Sequence, residues 1–314
     1  MGHVVIAGAG PAGASLAYLL ARRGLGVTLL ERQTDFAREF RGEGLMPSGA
    51  EALGAMGLGP ALDALPQTRV ETLDIFRGAR RVLRVRPRDL GAPGPRIVSQ
   101  PALLEMLVGE AGRFPGFRLE RGVTVRDLVR EGERVVGLRF DTPAGSREVR
   151  GDLVIGADGR ASVLRARAGL LARRAEQAFD VVCDRLERWS LPGLLLLGDA
   201  AHPMSPVGAQ GINIALRDAL VAANHLSPAL AGGAAPAALD AAAARVVAER
   251  EPEVAEIQRL QQGPPRLLFG PAWRSALFLG ALLPLLARLG IVQRVAGSVF
   301  RRFANGVTIV RLAA

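Results

Sequence analysis

Lysine is missing from this 314-residue chain: all 40 basic residues are arginine, against 30 acidic ones, for a formal net charge of +10. So uniform a choice of one cation reads as coding bias, not as the footprint of a nucleic-acid partner. Aromatic residues make up only 4% of the chain. No basic stretch is interleaved with the stacking side chains that single-strand binders use. Cysteine occurs once, at Cys183, which excludes a disulfide framework and suits a reducing, cytoplasmic setting. That thiol stands beside Asp184 and not beside a base, so it reads as inert. The histidines, His3, His202 and His225, are far apart, and no cysteine or acidic pair stands at metal-ligand spacing, so no metal site is expected. The first residues, MGHVVIAGAGPAG, have no basic stretch ahead of an apolar core and do not read as a signal peptide. Acid is missing from Pro265 onward, where arginines fall at 266, 274, 288, 294, 301, 302 and 311. Within that tail Ser275–Ala287 is uncharged but too short to span a bilayer. A basic, apolar tail can make peripheral contact with an anionic membrane surface. The expected alternative is a helical layer packed on the same protein.

What is present is an ordinary globular composition, 49% hydrophobic and 22% charged. His3–Ala7 is a β-branched run, Gly8–Gly13 a glycine turn, Ala14–Arg23 a helix and Val27–Glu31 a second strand. This βαβ start predicts a parallel sheet. Pro47–Met56 and Pro101–Gly112 read as helices. Glu71–Phe76 and Arg80–Val85 read as a small antiparallel hairpin. Strands follow at Phe117–Glu120, Thr124–Arg130, Arg134–Phe140 and Asp152–Gly156, and helices at Ile212–Leu226 and Pro236–Gln262.

Three strand ends carry chemistry. Gly8-Ala-Gly10-Pro-Ala-Gly13 is a GxGxxG that follows a strand and opens a helix. Its glycines allow a tight turn, close approach of a pyrophosphate and close helix–strand packing, while the helix N-terminus supplies N–H donors. Glu31 closes the second strand, 23 residues after Gly8, where a carboxylate can accept from the ribose hydroxyls of an adenosine. The second end is VIGADGRASVLR, with Asp158–Gly159 after an apolar strand and Ser162 placed to cap a helix. In the third, LLLLGDAAHPMSPVGAQGIN, a buried leucine strand closes at Gly198-Asp199, and Pro206, Gly208, Gly211 and Asn213 lead into a helix. All three would meet at the carboxyl edge of one sheet, where open α/β sheets keep their ligands. Ser205, His202 and Asp199 are the residue types of a hydrolase triad, but they fall within seven residues and lack a GxSxG elbow.

These segments, in this order, resemble the three signatures of the FAD-dependent group A flavoprotein monooxygenases, the p-hydroxybenzoate hydroxylase-like family. The resemblance extends over most of the chain. It implies a doubly wound, Rossmann-like FAD-binding α/β fold, a single discontinuous domain over 1–314 with a helical region at 228–314. It implies that Gly8, Gly10, Pro11, Ala12 and Gly13 hold the FAD pyrophosphate and that Glu31 and Arg32 lie at the adenosine. Arg41, in EFRGEGL, resembles the family's flavin-side arginine, and Gln100, in SQPALLEML, its FAD-contacting glutamine. Asp158 and Gly159 would serve FAD and the approach of NADH or NADPH. Gly198 and Asp199 would bind the ribityl chain, and Pro206, Gly208, Gly211, Ile212 and Asn213 would lie against the isoalloxazine ring. Such oxidoreductases take a hydride from NAD(P)H, form a flavin hydroperoxide with molecular oxygen and hydroxylate a small aromatic or apolar substrate.

The chain departs from the pattern between the second and third motifs. Ala166–Gly193 is 28 residues, whereas the family's substrate-pocket sheet of roughly five strands needs about fifty. QAFDVV resembles the first strand of that sheet and DRLERWSLPG the segment ahead of the third motif; the two meet at Cys183. This predicts an internal deletion, with 70–99 and 172–192 as remnants of the substrate domain. Two further readings follow: an NAD(P)H oxidase or flavin reductase that releases hydrogen peroxide, and a non-catalytic FAD-binding or membrane-peripheral protein.

Overall fold

A computed structural model describes residues 2–37, 44–77, 79–91, 93–170, 172–173, 185–268 and 291–313. The chain opens with β1 (His3–Ala7), α1 (Pro11–Arg22) and β2 (Gly26–Glu31). Next come β3 (Gly44–Leu45), α2 (Pro47–Ala55), α3 (Gly59–Asp63), β4 (Gln67–Arg69), β5 (Leu73–Arg77), β6 (Arg80–Val85) and β7 (Arg96–Val98). Helix α4 (Gln100–Ala111) leads to β8 (Phe117–Arg121), β9 (Thr124–Glu131), β10 (Arg134–Thr142), β11 (Gly145–Arg150), β12 (Leu153–Gly156) and α5 (Val163–Arg167). Short strands β13 (Ala172–Arg173), β14 (Arg185–Leu186), β15 (Ser190–Leu191) and β16 (Leu194–Leu196) precede α6 (Gln210–Ala231), α7 (Pro236–Leu268) and α8 (Ile291–Asn305).

The main sheet runs β15-β16-β12-β1-β2-β8, with every pairing parallel except that of β15 with β16. Its strands are apolar on both faces because both faces are covered. Val4, Ile6, Val27, Leu29, Leu153, Ile155 and Leu195 face a core shared with α1, α4 and α6. Their neighbours Val5, Ala7, Leu30, Val154, Leu194 and Leu196 face a second core, with Leu138 and Phe140 of β10 and Val254 and Ile257 of α7. One face is thus covered by helices. The antiparallel ladder β11-β10-β9 and part of α7 cover the other.

Helix α1 starts at Pro11, three residues before the predicted Ala14, because proline suits the first helical position, where an N–H has no acceptor. Strand β11 was not expected from the sequence: nearly all of it is exposed, so it lacks the alternation that marks a half-buried strand. The hairpin predicted over Glu71–Val85 forms as β5 and β6. A further small sheet forms from flanking segments, where β3, β7 and β4 pair antiparallel; strands of two or three residues carry no readable periodicity. Leu73 and Phe76 of the hairpin are exposed, Phe76 at 59%. Arg41, Cys183, the QAFDVV segment and Ser275–Ala287 lie outside the described residues.

Helix α8 turns Phe303 and Ala304 into the core, and its Arg302 pairs with Glu256 of α7 at 2.5 Å. This part of the basic tail therefore packs on its own protein. Residues 307–313 continue as a strap along α1 and α6. Arg217 donates to the Thr308 carbonyl, Asn224 holds the Arg311 carbonyl and the Ala313 amide, and Arg23 donates to the Ala313 carbonyl. Among the described residues no helix is long and apolar enough to cross a membrane.

Candidate functional site

The ends of β1, β2, β12 and β16 lie side by side at the carboxyl edge of the main sheet, which is where the sequence motifs fall. Gly8 adopts φ +96°, and a Cβ on it would lie 2.4 Å from the Ala157 carbonyl oxygen. A Cβ on Gly13 would lie 1.9 Å from the Gly8 carbonyl oxygen, so α1 packs against the turn at glycine distance. Gly10 is different: a Cβ there would meet nothing within 4 Å. Two glycines are needed by the protein itself, and the middle one leaves open space. Pro11 has no N–H, and helix geometry leaves those of Ala12 and Gly13 without intrahelical acceptors. Glu31 is buried at the end of β2, where its carboxylate accepts from the amides of Ala9 (2.8 Å) and Gln33 (2.9 Å). It thereby ties the second strand end to the glycine turn. Arg32 beside it is exposed, and Gln100 is half-buried at the first position of α4.

At the end of β12, Asp158 organises its own loop. It accepts from the Ser162 hydroxyl at 2.6 Å and the Leu164 amide at 3.1 Å, while Ser162 accepts from the Arg165 amide at 2.9 Å. Ser162 is therefore the cap of α5, as its position suggested. Gly159 turns the chain at φ +81° with open space around it.

Gly198 follows β16 at φ +59° and delivers Asp199, which is half-buried. Asp199 accepts from the Arg160 Nε at 3.0 Å and from the Met204 amide at 3.3 Å. Two glutamines of α7 fix the loop beyond it: Gln258 reaches the Pro203 carbonyl, and Gln261 bonds Ser205 through both its main-chain groups and also the Val207 carbonyl. Gly208 and Ala209 are both left-handed, at φ +75° and +51°. Gly211 faces open space and Ile212 is buried. Asn213 is fully buried: it accepts from the Met46 amide and donates to the Gly44 and Ala209 carbonyls, so its side chain fixes this loop against β3. Ala209 is the one described non-glycine residue with positive φ. Ala209→Gly is expected to raise stability by about 1 kcal/mol by relieving that conformation, as measured by urea unfolding.

His202 does not face the sheet edge. It is buried, 4.8 Å centroid to centroid from Trp189, and its Nε2 lies 2.8 Å from the Asp218 carboxylate. The same carboxylate accepts from the Gly198 amide at 3.1 Å and from the Arg250 Nε at 2.8 Å. Arg250 also bonds Glu253, which holds Arg217 at 2.8 Å and the Val307 amide at 2.9 Å. Five ionisable side chains, each no more than 5% exposed, thus run from the third motif to the strap. Burial alone would raise the pKa of Asp218, but His202 and Arg250 hold it below its ordinary value. Burial would likewise raise Glu253, and Arg250 and Arg217 bring it down to about 2. Burial opposes the charge on Arg250, yet Asp218 and Glu253 raise its pKa above the usual value. Apart from His202, none of the five belongs to a recognisable motif. Their one signal is an Arg217-Asp218 pair set in the apolar run INIALRDALVAA.

The edge therefore offers a glycine cradle with free space, main-chain amides and carboxylates on adjacent strand ends. This set fits an elongated, phosphate-bearing ligand with hydroxyl groups. Comparison with known proteins agrees. The sequence model of a family described as FAD binding domain matches residues 1–186 and 171–256, two stretches that share 171–186. The 6-methylpretetramide 4-monooxygenase of Streptomyces rimosus is 29% identical over 405 residues, covering 98% of this chain and 93% of its own. Among solved structures, p-nitrophenol 4-monooxygenase PnpA from Pseudomonas putida DLL-E4 superposes with a TM-score of 0.79 at 17% identity, covering 98% of this chain and 100% of its own. The anhydrotetracycline hydroxylase OxyS from Streptomyces rimosus gives 0.77 at 21% identity, covering 100% of this chain and 78% of its own.

Proposed function

Because the chain belongs to the FAD-binding-domain family of flavoprotein monooxygenases, we propose that it uses NAD(P)H and molecular oxygen to hydroxylate a small aromatic or apolar substrate. One oxygen atom would enter the substrate and the other leave as water. The observation that carries this reading is the meeting of the three motif-bearing strand ends at one sheet edge, with free space at Gly10. Bound FAD would supply the redox chemistry, accepting a hydride from NAD(P)H and then activating oxygen. The protein's own residues bind and orient. The 8–13 turn and the first amides of α1 would hold the pyrophosphate, Glu31 would face the adenosine ribose, Asp158 and Gly159 would border the dinucleotide, and Asp199 would accept from a ribityl hydroxyl. The 206–213 loop, fixed by Gln261, Gln210 and Asn213, would form a rigid floor for the ring. The similar structure PnpA is a p-nitrophenol 4-monooxygenase, named for a small phenol, which supports the aromatic class.

A second reading, hydrogen peroxide release without hydroxylation, is favoured by the short 166–193 connection. The 405-residue alignment exceeds the length of this chain, so it includes stretches with no counterpart here. The two family matches overlap at 171–186, inside that connection. Both facts support an internal deletion of the substrate-side sheet, and water would reach the ring more easily without it. The test is to record the visible spectrum of the purified chain, reduce it anaerobically with NADH or NADPH, and readmit air with a panel of phenols. Oxygenated product matching NAD(P)H consumption supports hydroxylation. Consumption matched by hydrogen peroxide alone assigns the oxidase reading, and a chain that takes up no FAD overturns both.

A further inference from the structure

We infer that Arg160 is a positioning residue for Asp199, an inference that rests on the FAD reading of this edge. The left-handed turn at Gly159 lets the Arg160 side chain cross from the end of β12 to the end of β16. There one planar guanidinium serves two acceptors, with Nε on Asp199 Oδ2 at 3.0 Å and Nη2 on the Met204 carbonyl at 2.5 Å. The Met204 amide returns to Asp199 Oδ1 at 3.3 Å, so Arg160, Asp199 and Met204 close a ring of hydrogen bonds. A second arginine steadies the first: Arg165 donates to the Arg160 carbonyl at 2.5 Å and to the Ala200 carbonyl at 3.1 Å. Both ends of the 199–204 loop are therefore gripped from the neighbouring motif.

The pair is partly exposed, Arg160 at 48% and Asp199 at 30%, and exposed ion pairs add little to stability. What the ring supplies is orientation. Each carboxylate oxygen of Asp199 is held from the protein side, so the group is already ordered when a hydroxyl-bearing ligand arrives, and ordering it on binding is avoided. A lysine keeps the charge but lacks the fork that bridges two acceptors. Within the second motif Arg160 carries no signal of this role, since its partner lies 39 residues on.

The experiment titrates flavin-stripped protein with FAD, followed by flavin fluorescence, for the parent chain, Arg160→Gln, Arg160→Lys, Asp199→Asn and the Arg160→Gln/Asp199→Asn double variant. Thermal melts of the stripped proteins run alongside. Arg160→Gln and Arg160→Lys are each expected to bind about tenfold more weakly, the upper end of the ordering cost of one side chain, with the melting midpoint of the stripped protein unchanged. In the Asp199→Asn background, Arg160→Gln is expected to change nothing further. An Arg160→Gln protein that binds like the parent overturns the inference, as does an equal loss with and without the Asp199 carboxylate. Parent-like binding by Arg160→Lys would assign the effect to charge and overturn the fork geometry. If Arg160→Gln fails to fold, the lysine variant decides alone. A parent chain that binds no FAD overturns the cofactor reading itself, whereas a binding parent with indifferent variants overturns only the role of Arg160.

Discussion

Arg250→Met is expected to destabilise the protein by about 3–5 kcal/mol, measured by urea unfolding at pH 7, because it leaves the Asp218 and Glu253 carboxylates buried without their shared cation. The prediction has a pH signature. In the parent, both carboxyl groups titrate below their unfolded values, Glu253 at about 2 against 4.5. The unfolded chain therefore takes up these protons first as pH falls. Their stabilising contribution is complete above about pH 4.5 and fades as pH drops toward 2, amounting to about 3 kcal/mol for Glu253. In Arg250→Met that pull on the carboxyl groups is weakened and protonation relieves the unpaired charge. The stability gap between parent and variant should therefore narrow on acidification. A gap that widened toward pH 3 would contradict the pairing. Because Asp218 holds the Gly198 amide, the variant is also expected to lose FAD affinity.

Gly13→Ala and Gly10→Ala should separate folding from binding within one motif. The Gly13 methyl would be forced to 1.9 Å from a backbone oxygen, so turn and helix must part. A loss of about 3 kcal/mol is expected, at the upper end of overpacking effects, together with loss of FAD uptake. Gly10 has φ −69° and ψ −179°, an extended conformation open to alanine, and space for a methyl group. Its substitution should leave stability within about 0.5 kcal/mol of the parent. On the proposed reading the methyl would stand where the pyrophosphate binds, and FAD affinity is expected to fall at least tenfold. Equal melting midpoints for Gly10→Ala and Gly13→Ala would refute this division of roles.

The contrast between these two glycines also marks what sequence can convey. The order strand, glycine turn, helix, strand was readable because β1, α1 and β2 are local and strongly patterned, and so was the placing of Asp158 and Asp199 at strand ends. The sequence also suggested Ser162 as a cap, which it is. Other features were not readable, for physical reasons. The Asp218–Arg250 partnership joins two helices 32 residues apart, and nothing in a helical period names a partner on another helix. Asn213 sits within a ligand-like motif, yet its side chain is taken up by the carbonyls and amide of residues 44, 46 and 209. Only three-dimensional placement distinguishes such a residue from one that faces a ligand.

The strap has a bearing on biogenesis. Its bonds join the most distant parts of the chain, the Arg23–Ala313 contact spanning 290 positions, and contacts of such separation form slowly. The glycine turn and its first two strands can assemble early in synthesis. Glu253, by contrast, obtains the amides of 307 and 308 only after the ribosome has passed them. Until then the buried charges behind the third motif lack part of their solvation. A nascent chain would carry a formed glycine turn beside an unfinished third motif, and cofactor loading should come as a late step of maturation.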